Sequence, residues 1–255
     1  MKREVSVFLN GNALKDVHPK ILAVRVQENP AADETVFDTI AHLPGRKLAS
    51  KKRASMTVSV FCKVREIYDL TTRMDVINAV NVWAISGKEL SVSYRPDQIL
   101  RVALVQPATP GNIREYNGEI ELVFEADGSP YWESENASRK QSAGSVISST
   151  MTIEGSAPTP VNAAIYFIKA PTYFKIAVAD TFIHLSGLSL PVGAYVTIEH
   201  DDVGVAKIMY GDTSLFEFLT DDSFDMLITS GGNAVVSFET DGDAEVTFTA
   251  LGRYL

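Results

Sequence analysis

Only one stretch of this sequence, residues 65–84, departs from a strand-like rhythm. There Ile67, Leu70, Met74 and Ile77 recur at spacings of three and four, which draws one apolar stripe on a helix. Val76, Val80 and Trp83 widen that stripe, so the helix is expected to sink into a sheet, and Ser86-Gly87 ends it. The rest of the chain is short, alternating segments between turn residues. Many strands and a single helix restrict the fold to mainly-β architectures with the helix as a local addition.

In the first half, strands are expected over residues 4–9, 21–27, 55–64, 89–95, 99–106 and 115–126. Asn10-Gly11 suits a type I′ hairpin turn, because both central residues need positive φ. Pro96-Asp97 marks a second turn. Ile120, Leu122 and Phe124 alternate with Glu119, Glu121 and Glu125, which means one face buried and one wet. Residues 127–132 close a first domain at 1–135, and the Ser- and Ala-rich residues 133–149 read as a linker that has room for the next domain's first strand. A second domain, 136–255, follows as short strands at 163–168, 173–178, 181–185, 195–200, 206–210, 234–239 and 245–251. Their spacing and Asp/Gly-rich turns, Asp241-Gly242-Asp243 among them, argue for a β-sandwich or jelly roll.

Charge is split between the halves. Residues 1–135 carry 17 Lys+Arg against 18 Asp+Glu, a net −1, and residues 136–255 carry 6 against 14, a net −8. Such an acidic half repels nucleic acid and favours solubility. The one dense basic run is Arg46, Lys47, Lys51, Lys52 and Arg53, read as a loop after Pro44-Gly45. It suits a solvated loop, a contact with the acidic surface of a neighbouring copy, or DNA; no aromatic residues are interleaved to stack on bases, which ranks DNA third.

No reactive constellation is visible, so no catalytic residue, cofactor or metal is expected. The single cysteine, Cys62, excludes an internal disulfide and sits in an apolar run, as a buried inert thiol would. His18, His42, His184 and His200 match no metal-ligand spacing. His200-Asp201-Asp202 reads as a polar hairpin turn before Val203-Gly204 rather than a cation site, and Asp221, Asp222 and Asp225, like Asp241 and Asp243, do not fit a calcium loop. Phosphate-binding and dinucleotide-binding glycine patterns and the nucleophile elbow are absent. No segment has the ~20 apolar residues of a membrane span, and the opening residues do not read as a secretory signal. Asn136-Ala137-Ser138 matches a glycosylation sequon, which carries little weight without such a signal.

Several segments together resemble phage distal tail proteins, the tail-tip ring components of long-tailed phages. They are Val7-Phe8-Leu9-Asn10-Gly11, the basic segment after Pro44-Gly45, the strand-into-helix unit at 55–84, Gly87-Lys88-Glu89-Leu90-Ser91-Val92, and the strands ending at 119–132. In the second half, residues 162–168, 216–219 and 230–237 resemble the family's galectin-like sandwich. The resemblance implies a β-sandwich-like N-terminal "belt" domain with one α-helix and a galectin-like C-terminal domain. It also implies a non-enzymatic part, made in a bacterial cytoplasm and carried at the virion tail tip. Six N-terminal domains would form a ring around the tail channel, with one face on the tail tube protein and the other on the tail-tip (tail-associated) protein. The C-terminal domains would hold receptor-binding or baseplate proteins. Arg46, Lys47, Lys51, Lys52 and Arg53 would then sit at inter-subunit contacts, and the lumen would carry little positive charge so that DNA slides through without specific binding. Larger members of the family carry an inserted sugar-binding module that this chain has no room for. A carbohydrate-binding sandwich for host attachment remains the alternative, with Tyr166, Tyr173, Tyr195, Tyr210 and Tyr254 as its aromatic residues.

Overall fold

Two long strands organise this chain, and each changes neighbours along its length. The computed structural model describes residues 5–30, 33–39, 46–65, 69–108, 117–201 and 204–255. They fall into two units, Met1–Trp132 and Glu133–Leu255, both mainly β, with one α-helix among the described residues.

The first unit contains β1 (Val7–Leu9), β2 (Asn12–Ala13), β3 (Ile21–Asn29), β4 (Asp33–Thr39), β5 (Arg46–Arg53), β6 (Thr57–Arg65), α1 (Leu70–Ser86), β7 (Glu89–Val92), β8 (Arg95–Gln106) and β9 (Asn117–Ala126); its last residue, Trp132, is the first of β10 (Trp132–Ser134). Its main sheet runs β2-β1-β7-β8-β9-β6-β3, and β4 pairs with β5 in a separate hairpin. Asn10 and Gly11 have φ of 49° and 78°, as a type I′ turn requires. β8 pairs with β7 up to Arg101 and with β9 from Val102 onward. The expected turn at Pro96-Asp97 lies instead at Ser93-Tyr94. The residues between Arg95 and Leu100 stand outside the regular ladder, with Asp97 at φ 60°. The difference arises because Val92 pairs directly with Arg95.

The partner switch in β8 leaves the far edge strand, β3, within reach of the β7–β8 corner, and a polar clamp joins them. Glu28 Oε1 accepts from Tyr94 Oη (2.7 Å) and Arg95 Nε (3.0 Å). Its Oε2 accepts from Arg95 Nη2 (2.8 Å) and Trp132 Nε1 (3.2 Å). Burial raises the Glu28 carboxyl pKa, but the hydrogen bonds from Arg95 and Tyr94 outweigh it and hold the group below its usual range.

Helix α1 begins at Asp69, whose carboxylate accepts from the Thr72 N–H and hydroxyl at 2.7 and 2.6 Å. Val76, Ile77, Val80, Trp83 and Ala84 are buried. Trp83 meets Phe124 edge-on at 6.3 Å and donates its indole N–H to Asn12 O. Asn81 exchanges two hydrogen bonds with the Ala108 backbone. These bonds set the roll of the helix and correct the expected core stripe. Leu70 and Met74 turn outward, 69% and 38% exposed, and Ile67 lies outside the described residues. Gly87, directly after the helix, lets Leu9 approach so closely that any Cβ would overlap it.

The second unit contains β11 (Ser138–Ile153), β12 (Thr159–Pro160), β13 (Asn162–Lys169), β14 (Tyr173–Val178), β15 (Thr181–Ser186), β16 (Tyr195–His200), β17 (Ala206–Tyr210), β18 (Thr213–Ser214), β19 (Ile228–Thr229), β20 (Gly232–Ala250) and β21 (Arg253–Tyr254). The sheet runs β15-β14-β20-β13-β16-β17-β18, with β11 along the other side of β20. Two expectations are corrected here. Residues 133–149 are largely strand rather than linker, because β11 pairs with β20 along its whole length; pairing overrides the weak period of a Ser-rich sequence. Residues 234–239 and 245–250 belong to one 19-residue strand, β20, and Asp241-Gly242-Asp243 runs through its middle instead of turning. β20 pairs with β14 through Thr240 and with β13 from Asp243. Asp241 holds the switch point by accepting from the Thr172 and Tyr173 N–H groups and the Thr172 hydroxyl. Gly242 fits because a Cβ there would stand 2.8 Å from Lys169 O. Burial keeps one phase across the switch: Val236, Phe238, Thr240, Ala244, Val246 and Phe248 all face one core. Phe167, Phe174 and Phe238 meet there at ring separations of 5.7–6.3 Å.

Replacing Arg95 by Ala strands Glu28, whose side chain is 15% exposed. The expected cost to the first unit is about 2–3 kcal/mol. Urea unfolding followed by tryptophan fluorescence checks this, since both tryptophans lie in that unit; an unchanged midpoint would show that the clamp is ornamental.

Candidate assembly surface

Among the described residues the side chains with chemistry are scattered. Cys62 is buried on β6, and burial first, then the Glu119 charge, pushes its thiol up to about 12. His18 Nδ1 accepts from the Lys20 N–H, and His42 lies outside the described residues. His184 sits on β15, with its backbone tied to Ser223 and Thr220. His200 uses both ring nitrogens: Nδ1 lies 3.0 Å from Asn162 Oδ1, and Nε2 accepts the Leu227 N–H at 2.8 Å. Asp201 accepts from the Val205 N–H, and Gly204, at φ 96°, completes that turn; Asp202 and Val203 lie outside the described residues. The Asp222 carboxylate accepts from the Thr220 hydroxyl, which lowers its pKa. Among the described residues no three His, Cys, Asp or Glu side chains come together as a metal site, and no helix is long and apolar enough to cross a membrane.

What the first unit does present is surface. Leu70, Met74, Val82 and Ile85 on α1 are 69%, 38%, 70% and 71% exposed. At about 100° per residue they share an arc of about 120°, opposite the buried face. Four large apolar side chains on one exposed helix face are uncommon on a free monomer surface and mark a contact. Sequence periodicity missed this, because α1 is apolar on two faces and only packing reveals which one is covered.

The basic run is strand β5, not a loop. Its register with β4 places Asp33 opposite Arg53, Glu34 opposite Lys52 and Asp38 opposite Lys47. Three of the five cations thus stand at register positions opposite an acidic residue of their own hairpin. Arg46 and Lys51 face Thr39 and Thr35 instead, and residues 40–45, between the strands, lie outside the described residues. These acids went unnoticed in the sequence because nothing local announces the register of a hairpin. On β9, the buried Ile120, Leu122 and Phe124 alternate with Glu119, Glu121 and Glu125, which reach solvent. One weak exposed pair, Arg25 to Glu119 at 3.7 Å, touches that acidic row. The unit therefore shows an exposed apolar helix face and an acidic row on β9.

No protein-family model and no curated protein sequence matches this chain. One solved structure does match in fold. The crystal structure of the phage SPP1 Dit (gp 19.1) protein, described as a paradigm of the hub adsorption apparatus in phages infecting Gram-positive bacteria, aligns over 99% of this chain and 100% of its own. The TM-score is 0.68 at 15% identity. A chain of the phage P2 baseplate in its activated conformation with Ca aligns over 99% and 98% at 12% identity, with a TM-score of 0.42.

The partners of His200 carry a pH prediction. Burial lowers its pKa from 6.5 to about 4, so the folded state holds the neutral ring while the unfolded chain takes up a proton. Stability is full above pH 6.5 and falls as pH drops toward 4; by pH 5 the loss is about 2 kcal/mol. Thermal unfolding of the wild type and of His200→Gln at pH 7.5 and 5 tests this. The substitution is expected to flatten the pH dependence between those values, and an equal slope in both proteins would refute the assignment.

Proposed function

We propose that this chain is a structural hub protein of a phage tail tip, carried in the virion, that acts by assembly and not by catalysis. The observation that supports the reading best is the fold match to SPP1 Dit, which spans both units and essentially the whole of each chain. In its finer form, the first unit closes a ring with copies of itself, a hexamer, around the tail channel. The ring joins the tail tube to the tail-tip protein, and the galectin-like second unit holds receptor-binding or baseplate components.

The surface of the first unit suits that role. Ring closure needs two different patches per subunit, each meeting the other on a neighbour. An apolar helix face supplies area, and a cationic strand with an acidic row supplies register and steering. The sheet ends in β2 and β3, edge strands that can pair across a subunit boundary. DNA passage through such a ring calls for weak attraction to phosphate, and the net charge of −9 agrees with that.

Sedimentation velocity and native mass spectrometry of the full chain test self-closure. A concentration-dependent hexamer is expected. Val82→Glu with Ile85→Glu, both on the exposed helix face, should weaken association at least tenfold, about 1.4 kcal/mol or more. Arg46→Glu with Lys51→Glu is the clean charge test, since reversing Lys47, Lys52 or Arg53 would place like charges opposite each other inside the hairpin. A chain that stays monomeric at the highest concentration, or variants that assemble like the wild type, would reject this use of the surface.

A further inference from the structure

The outward face of the second unit's sheet carries a shallow trough of about 570 Å³ that the assembly role leaves unused. It is built in rows, because every second residue of a strand shares a face. In the first row Tyr166 on β13 lies opposite Glu245 on β20 and Tyr195 on β16. In the next row Thr247 lies between Gln141 and Ala164, and beyond it Thr249 faces Arg139. The floor is thus made of small side chains, Ala164 and Thr247, beside a wall of two adjacent phenol rings. Tyr166 and Tyr195 are 45% and 54% exposed.

The polar groups here are uncommitted. Elsewhere the phenols hold carboxylates: Tyr94 on Glu28, Tyr173 on Glu239 and Tyr254 on Glu154. Among the described residues, no hydrogen bond or ion pair engages the side chains of Tyr166, Tyr195, Arg139, Gln141, Glu245 or Thr247. The volume lies within the range of small-molecule sites, about 300–1,000 Å³.

We propose that this trough binds a neutral saccharide. A sugar ring offers an apolar C–H face and a rim of hydroxyls, each both donor and acceptor. Tyr166 and Tyr195 supply flat apolar area, while Arg139, Gln141, the two phenols and Glu245 supply donors and acceptors beside it. The occupant's charge follows from the surroundings. Residues 136–255 carry a net −8, and Glu245 sits in the trough, so a polyanion such as nucleic acid or an anionic wall polymer is repelled. A protein partner would call for aliphatic anchors at the centre, and the trough lining contains none. A shallow open site binds weakly, and several copies held in one particle would multiply the affinity.

The test uses the full chain. Saturation-transfer NMR is run with maltotriose, cellotriose, chitotriose and a rhamnose trisaccharide, alongside an array of neutral and anionic bacterial surface glycans. At least one neutral glycan is expected to bind. Tyr166→Ala and Tyr195→Ala should each weaken it at least tenfold, and Glu245→Gln severalfold. Tyr173→Phe, on β14 and outside the trough, should leave it unchanged. All of these sites reach solvent, so thermal unfolding should confirm folded variants. Absence of neutral-glycan binding across the array, preference for anionic glycans, or binding that survives both tyrosine substitutions would overturn the proposal. Loss of self-association in Tyr166→Ala would also overturn it, by making this face a protein contact; failure of the hub reading alone would leave the glycan result standing.

Discussion

A strand that leaves one neighbour for another must satisfy its backbone at the crossing, and that requirement shapes both units. In the first, the Val102 N–H donates to Lys88 O, and the Asp127 N–H to Arg101 O, where β8 passes from β7 to β9. In the second, the Asp241 carboxylate takes the N–H groups of Thr172 and Tyr173 where β20 passes from β14 to β13, and the Gly242 N–H finds the Thr240 hydroxyl. Unmet backbone groups inside a sheet would cost more than the bends gain. With those groups met, one continuous strand can serve two parts of a sheet that enclose a core.

Interior and surface divide the roles of the described side chains in both units. Perturbed titratable groups that gather in a cleft point to a catalytic site. Here they are dispersed, and each shift has a local structural cause: Glu28 in its clamp, Cys62 in the β6 core, His200 between Asn162 and Leu227. The unspent features are surfaces, namely the outer face of α1 and the tyrosine trough.

Much of the architecture was legible because alternation is a local signal. The β9 pattern of Ile120, Leu122 and Phe124 against Glu119, Glu121 and Glu125 translates directly into burial. The Asn10-Gly11 turn and the existence of α1 were equally readable. Long-range pairing was not. The Ser-rich β11 has no period of its own and becomes a strand through β20. The Asp241-Gly242-Asp243 segment has turn chemistry, yet its aspartate caps a distant strand end and its glycine makes room for Lys169 O. The basic run showed its charge but not its partners, since Asp33, Glu34 and Asp38 become its neighbours only through hairpin register.

The sequence by itself determined the mainly-β class, the helix α1 and the acidic character of the second half. These follow from composition and from periods that repeat within a few residues. Tertiary structure decided which face of α1 is covered, where β8 and β20 change partners, and which tyrosines stand together beside open polar groups. Those outcomes depend on strand register and helix roll, which are set by contacts between residues far apart in the chain, and no local pattern encodes them.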